Sequence, residues 1–158
     1  MKLYIKEHIF TLGDQFSVMD QWGNDKYFVQ GEIFTLGRKL HVSDTTGAEV
    51  AFIRQELMTF LPQYVVYVDG QEIGRVKKEF SFFVSRYSIE GLGWEIEGSF
   101  WEHDYSITRN GQTIVTISKE WMTWGDSYEL DIRDPRDELL ALAVVLTIDC
   151  VRESQNNN

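Results

Sequence analysis

The sequence predicts a mainly β protein with one C-terminal helix, folded as a closed antiparallel barrel of about twelve strands around a central hydrophobic α-helix. Three observations predict it. Alternating apolar and polar segments, punctuated by glycine and Asp/Asn turns, fill the first 132 positions. Strand units recur at fixed spacings, as in a fold built from repeated hairpins. The chain then closes with Leu139-Leu140-Ala141-Leu142-Ala143-Val144-Val145-Leu146, followed by Thr147-Ile148-Asp149-Cys150-Val151. Such a helix is apolar around its whole circumference, so protein or lipid must surround it.

In chain order, the alternating runs place strands at 3–8, 15–20, 26–33, 38–44, 48–56, 63–69, 71–79, 85–90, 92–98, 102–108, 112–120 and 127–132. Short connections predict that neighbours pair antiparallel. Asp134 is a suitable N-cap, Pro135 fits the first helical position, and Asp137 and Glu138 complement the positive end of a helix over 135–153. At 1.5 Å per residue that helix is about 27 Å long, enough to thread a barrel. Its apolar run is shorter than the roughly 20 residues a bilayer crossing needs, so a protein sheath is the expected solution. With the helix inside, closure removes every sheet edge. A single domain over 1–153 is expected, with 154–158 as a frayed tail.

The repeats fix the register. Ile9-Phe10-Thr11-Leu12-Gly13 recurs 24 positions later as Ile33-Phe34-Thr35-Leu36-Gly37, and Val18/Val42, Asp20/Asp44, Gly23/Gly47 and Phe28/Phe52 keep step. A second echo, 64 positions apart, pairs Gly47 to Phe60 with Gly111 to Trp124, including Glu56/Glu120, Met58/Met122 and Thr59/Thr123. Tyr64 then faces Tyr128. By this match Trp121 and Trp124 stand where Leu57 and Phe60 do, as equivalent posts expected to pack rather than to stack on a ligand.

The charge of −10 argues against nucleic-acid binding through the folded surface. The lone Cys150 excludes a disulfide within the chain and suits a reducing compartment. The opening residues carry no apolar signal segment, so a cytoplasmic location is expected.

The stretch Trp94-Glu95-Ile96-Glu97-Gly98-Ser99-Phe100, with Tyr105-Ser106-Ile107, Gly111, Ile117-Ser118-Lys119-Glu120 and Trp124-Gly125-Asp126-Ser127-Tyr128, resembles the LURP-one-related family. The repeated Ile-Phe-Thr-Leu-Gly units and the closing apolar helix share in the resemblance. It covers almost the whole chain and is nearest to the small bacterial members. It implies kinship with tubby C-terminal domains and phospholipid scramblases, and with it a twelve-stranded barrel around a hydrophobic helix. It implies no agreed biochemical activity. The relatives suggest anionic-lipid binding through lysine and arginine, for which Arg75, Lys77, Lys78 and Arg86 are the nearest candidates; a charged, solvated strand is the plainer reading of those four. A scramblase-like calcium segment is not expected, because 119–134 lacks closely spaced ligands and a glycine. Asp126, Glu129 and Asp131 are therefore expected at the surface.

Catalytic chemistry has little support. His8, His41 and His103 sit in separate strands without a metal-binding spacing, so no metal or cofactor is expected. His41 should point outward with Lys39, and His103 should be partly buried near a barrel end. No nucleophile elbow or phosphate loop is present. Glu95, Glu97, Glu102 and Asp104 fall on neighbouring strands, where an acid–base pair could hide. Asp149, inside the apolar helix, must find a partner, accept a proton, or emerge at the barrel end. Its place near the C-terminus favours emergence, with pairing to a strand arginine as the alternative. The chain thus reads as a non-enzymatic binding or scaffold protein of unknown ligand and partners, or else as a phospholipid-interacting protein associated with a membrane.

Overall fold

The computed structural model describes residues 1–6, 15–32, 36–79, 86–99, 102–122 and 125–156. The side chains of 78–79, 86–88, 121–122, 125–126 and 154–156 fall outside that description. Twelve strands form one closed barrel: β1 (Lys2–Lys6), β2 (Gln15–Asp20), β3 (Asp25–Gly31), β4 (Lys39–Asp44), β5 (Glu49–Gln55), β6 (Gln63–Val68), β7 (Gln71–Glu79), β8 (Arg86–Glu90), β9 (Trp94–Ser99), β10 (Asp104–Arg109), β11 (Gln112–Met122) and β12 (Gly125–Ile132). Each strand pairs with its sequence neighbours, and β1 closes on β12. The even strand number leaves β1 and β12 antiparallel, with Lys2 opposite Asp131 and Ile5 opposite Tyr128.

The 24-residue repeat survives as geometry. Asp20 accepts from the N–H groups of Trp22 and Asn24, and Asp44 from those of Thr46 and Ala48. Gly23 and Gly47 both take φ values above +80°, which glycine reaches without a Cβ penalty. A register shift precedes each turn, at Val18/Met19 and again at Val42/Ser43. The Ile-Phe-Thr-Leu-Gly unit itself falls largely on 9–13 and 33–35, outside the described residues. The 64-residue echo places Ile53 and Ile117, and Tyr64 and Tyr128, at matching inward positions that are all buried.

A 3-10 turn (Pro135–Asp137) leads into α1 (Glu138–Asn156). Asp134 caps the turn by accepting from the Arg136 N–H, as expected. The α-helix proper thus starts three residues after Pro135 and runs past the expected end at Glu153. It traverses the lumen with Ala141, Leu142, Ala143, Val144, Val145 and Leu146 wholly buried against inward residues such as Val42, Ile53, Val66, Ile107 and Leu130. The Thr147 hydroxyl donates to the Ala143 carbonyl, so the one hydroxyl of the run adds no unpaired donor to the core. None of the described helices is long and apolar enough to cross a membrane.

Topology makes the two barrel ends unlike. Tight turns at 21–24, 45–48, 69–70, 91–93 and 110–111 share one end, where α1 enters. The strand ends at Lys6, Gly31, Gln55, Glu79, Ser99 and Met122 share the other, where α1 ends. At the entry end the Glu138 carboxylate, 7 % exposed, accepts from Lys26 Nζ (2.7 Å) and the Tyr27 hydroxyl (2.9 Å). A carboxylate in this first turn also complements the helix dipole.

Candidate functional site

Among the described residues, three places gather side chains capable of chemistry. The first lies around the last turns of α1. Asp149 does not emerge: it is 5 % exposed. Tyr128 donates a hydrogen bond to its Oδ2, Arg152 Nη1 lies 3.4 Å from Oδ1, and His103 Nε2 is 3.2 Å from the same oxygen. His103 is itself buried, stacked on Tyr128 with ring centres 4.0 Å apart. The expected emergence fails because Arg152, one helical turn on, brings a cation back over the carboxylate. The ion pair thus comes from the helix itself and not from a strand arginine. His103 Nε2 can donate to Asp149 or accept from Arg152, which also contacts it, but one nitrogen does not do both at once. Burial, together with the Asp149 charge, raises the Tyr128 hydroxyl well above the ordinary phenol range. It stays protonated and acts as a donor. Close by, burial pushes the Cys150 thiol up to about 12, the adjacent Arg38 pulling the other way; such a thiol is unreactive at neutral pH.

The second place is on the outer wall. His41, facing outward as expected, lies between Glu49 at Nδ1 and Glu32 at Nε2, the latter at 3.0 Å, and stacks on Phe52 with ring centres 4.8 Å apart. Burial alone would lower its pKa, but hydrogen bonds and charge from Glu32 and Glu49 outweigh it and raise it. The imidazole's contribution to stability is therefore complete below its unfolded value, about 6.5, and is lost as pH rises through the raised folded value. His41→Gln should accordingly lower the melting temperature more at pH 5.5 than at pH 9. An equal loss at both would show that the ring acts by packing alone.

The third place holds the basic candidates. Arg75 and Lys77 face outward on β7; the side chains of Lys78 and Arg86 lie outside the described residues. Arg75 donates to Glu72 and Glu56, both at 2.9 Å, and Lys77 pairs with Glu90 at 2.9 Å. Register extends this group. Lys39 is opposite Arg54, Arg54 opposite Val65, and Val65 opposite Arg75. Val65, between the two arginines, is fully buried although it lies outside the core cluster of the lumen, consistent with arginine stems covering it. Pairing of register across four strands is a signal that sequence reading missed.

Other candidates separate. Glu95, Glu97 and Asp104 are exposed, and Glu102 is exposed beside them. Glu129 is not a surface residue: it is 7 % exposed, accepting from the Tyr4 hydroxyl (2.7 Å) and pairing with Lys2 (2.9 Å). Burial, then the bond to Glu129, pushes Tyr4 up to about 12. Trp121, Trp124, Phe100 and Trp101 lie outside the described side chains. Leu57 and Phe60, expected to pack, are 52 % and 94 % exposed. Among the described residues, no group of three or more His, Cys, Asp or Glu could hold a metal ion.

An all-antiparallel barrel that closes on a buried hydrophobic C-terminal helix, its acidic and basic groups spent on pinning that helix and lining the wall, defines the class. The chain belongs to the LURP-one-related family, whose model matches residues 1–149. It is 32 % identical over 151 residues to the uncharacterised protein YxjI of Bacillus subtilis (strain 168), covering 96 % of this chain and 93 % of that one. The fold resembles that of an Arabidopsis thaliana protein solved by X-ray crystallography, with a TM-score of 0.66 at 15 % identity over 94 % of this chain and 90 % of the plant protein.

Proposed function

We propose that this protein is a non-enzymatic binding or scaffold module that engages its ligand on its outside. The observation that supports this most is the filled lumen. The space where barrels of this size hold a ligand is taken by α1, with 141–146 at 0 % exposure. The polar cluster behind it is occupied in bonding its own members, a structural assignment for Asp149, His103 and Tyr128. The carboxylates of β9 and β10 lie exposed on the outer wall, without the desolvation that tunes a catalytic acid. A cytoplasmic location fits a chain whose only cysteine is a buried thiol.

Native mass spectrometry of the full chain, purified gently from its own host, tests this. A reproducible added mass is expected, and it identifies the ligand. Turnover of any substrate that one carboxylate substitution on β9 or β10 abolishes, with the fold intact, would overturn the reading.

A second reading, a phospholipid-interacting protein at Arg75 and Lys77 with Lys78 and Arg86, is favoured by the cation row Lys39–Arg54–Arg75. That row offers an anionic headgroup several donors from adjacent strands.

A further inference from the structure

At the end of the barrel where α1 finishes, two of the described connections are apolar at their tips. Leu36 is 83 % exposed, Leu57 52 %, Met58 104 % and Phe60 94 %. These four sit on two neighbouring connections, β3–β4 and β5–β6, which touch: a Cβ placed on Gly37 would come within 2.9 Å of Leu57 Cδ2. The other large apolar side chains exposed among the described residues, Met1 and Trp22, belong to the opposite end. Met58 holds φ at +63°, a conformation that costs a bulky side chain, and it does so at full exposure. Burial within the protein does not repay that arrangement. The tips project rather than form a groove, so they suit a medium that they can enter.

Charge supplies the complement. Behind the tips, on the outer wall, lie Lys39, Arg54, Arg75 and Lys77 on β4, β5 and β7. Against these four cations stand Glu32, Glu56, Glu72 and Glu90, their ion-pair partners. In a molecule of net charge −10, this sector is neutral, four cations against four carboxylates. On the same flank, the tight-turn end instead carries Asp20, Asp25, Asp44, Glu49 and Asp69 against Lys26, itself paired with Glu138, an excess of negative charge that an anionic surface repels. Field and apolar tips therefore orient the molecule the same way. From Arg54 to the Met58 tip is four residues, at most about 14 Å, a span that places phosphate-level cations behind side chains at the acyl boundary.

We propose that this end docks on a membrane surface containing anionic lipid, with Leu36, Leu57, Met58 and Phe60 entering the headgroup–acyl boundary and the Lys39–Arg54–Arg75 row facing the phosphates. It deepens the second reading above and rests on it for the headgroup contacts. The barrel stays on the surface and spans nothing.

The test is sedimentation of the full chain with phosphatidylcholine vesicles, with and without phosphatidylserine. Met58→Cys carrying a polarity-sensitive bimane reports insertion, and Thr46→Cys with the same label, at the tight-turn end, is the control. The expected result is binding that requires phosphatidylserine, with a blue shift at 58 and none at 46. Met58→Ser and Phe60→Ser, both at exposed positions and hence folded, should each weaken binding by roughly tenfold or more. Vesicle binding that neither serine substitution changes would overturn the insertion while leaving headgroup recognition standing. No binding to either vesicle type by folded protein would overturn both, without touching the broader binding-module reading. A shift at 58 that depends on protein concentration and not on vesicles would assign the tips to a second copy of the chain, and one that needs an added protein would assign them to that partner; either overturns the membrane assignment.

Discussion

Leu142→Asp should remove a large share of the folding stability at neutral pH, and Val145→Asp should do the same. Both side chains are at 0 % exposure in the middle of α1, surrounded by the apolar lining of the lumen. A carboxylate there has three options: to stay ionised without a partner, to take up a proton, or to pull the helix out. The first two cost several kcal/mol. The third gives up the burial of nearly every residue from Ala141 to Val151 and leaves a barrel with an empty lumen. Domains of this size have about 5–15 kcal/mol of stability in total, so one substitution removes a large share of it. Leu142→Met, which keeps volume and polarity, should cost less than about 1.5 kcal/mol. Urea unfolding of the three variants beside the parent decides the matter. An aspartate variant as stable as the parent would mean that the helix is not enclosed.

The same helix shows how much a sequence of this kind discloses. Its enclosure was legible because an all-apolar circumference admits few environments. The strands were legible because turn residues recur: Asp20 and Asp44 each close an Asx turn, and Gly23 and Gly47 each take the left-handed region. Strand ends differ from expectation by no more than two residues where both are described, as when β11 continues through Met122 rather than stopping at Glu120. What failed were the fates of single polar groups. Asp149 is 46 residues from His103 and 21 from Tyr128 in the chain, and only barrel closure brings them together. Glu129 is buried on the outer wall by Tyr4 and Lys2, from the far end of the sequence. Alternation tells which face a side chain takes, not what lies beside it on that face. Leu57 and Phe60 misled for another reason. Their match to Trp121 and Trp124 is a match of residue types along the chain, and such a match does not specify burial.

The polar cluster at the end of α1 makes the second strong demand on stability. Arg152→Met keeps much of the aliphatic stem but removes the cation from a carboxylate that is 4 % exposed at its side chain. Removing one partner of a buried pair costs about 3–5 kcal/mol. Asp149→Asn leaves a guanidinium that is 19 % exposed and able to turn toward water, and the new amide still accepts from Tyr128. Its cost should be about 1–3 kcal/mol. The double variant has neither the stranded anion nor the unpaired cation, so it should be more stable than the sum of the single losses implies by at least 1 kcal/mol, a coupling of the size expected for residues in contact. Denaturant unfolding of all four proteins at neutral pH measures this coupling. Additivity within about 0.5 kcal/mol would mean that Asp149 is held by Tyr128 and His103 alone. The ion pair would then contribute nothing to keeping the helix end inside the barrel.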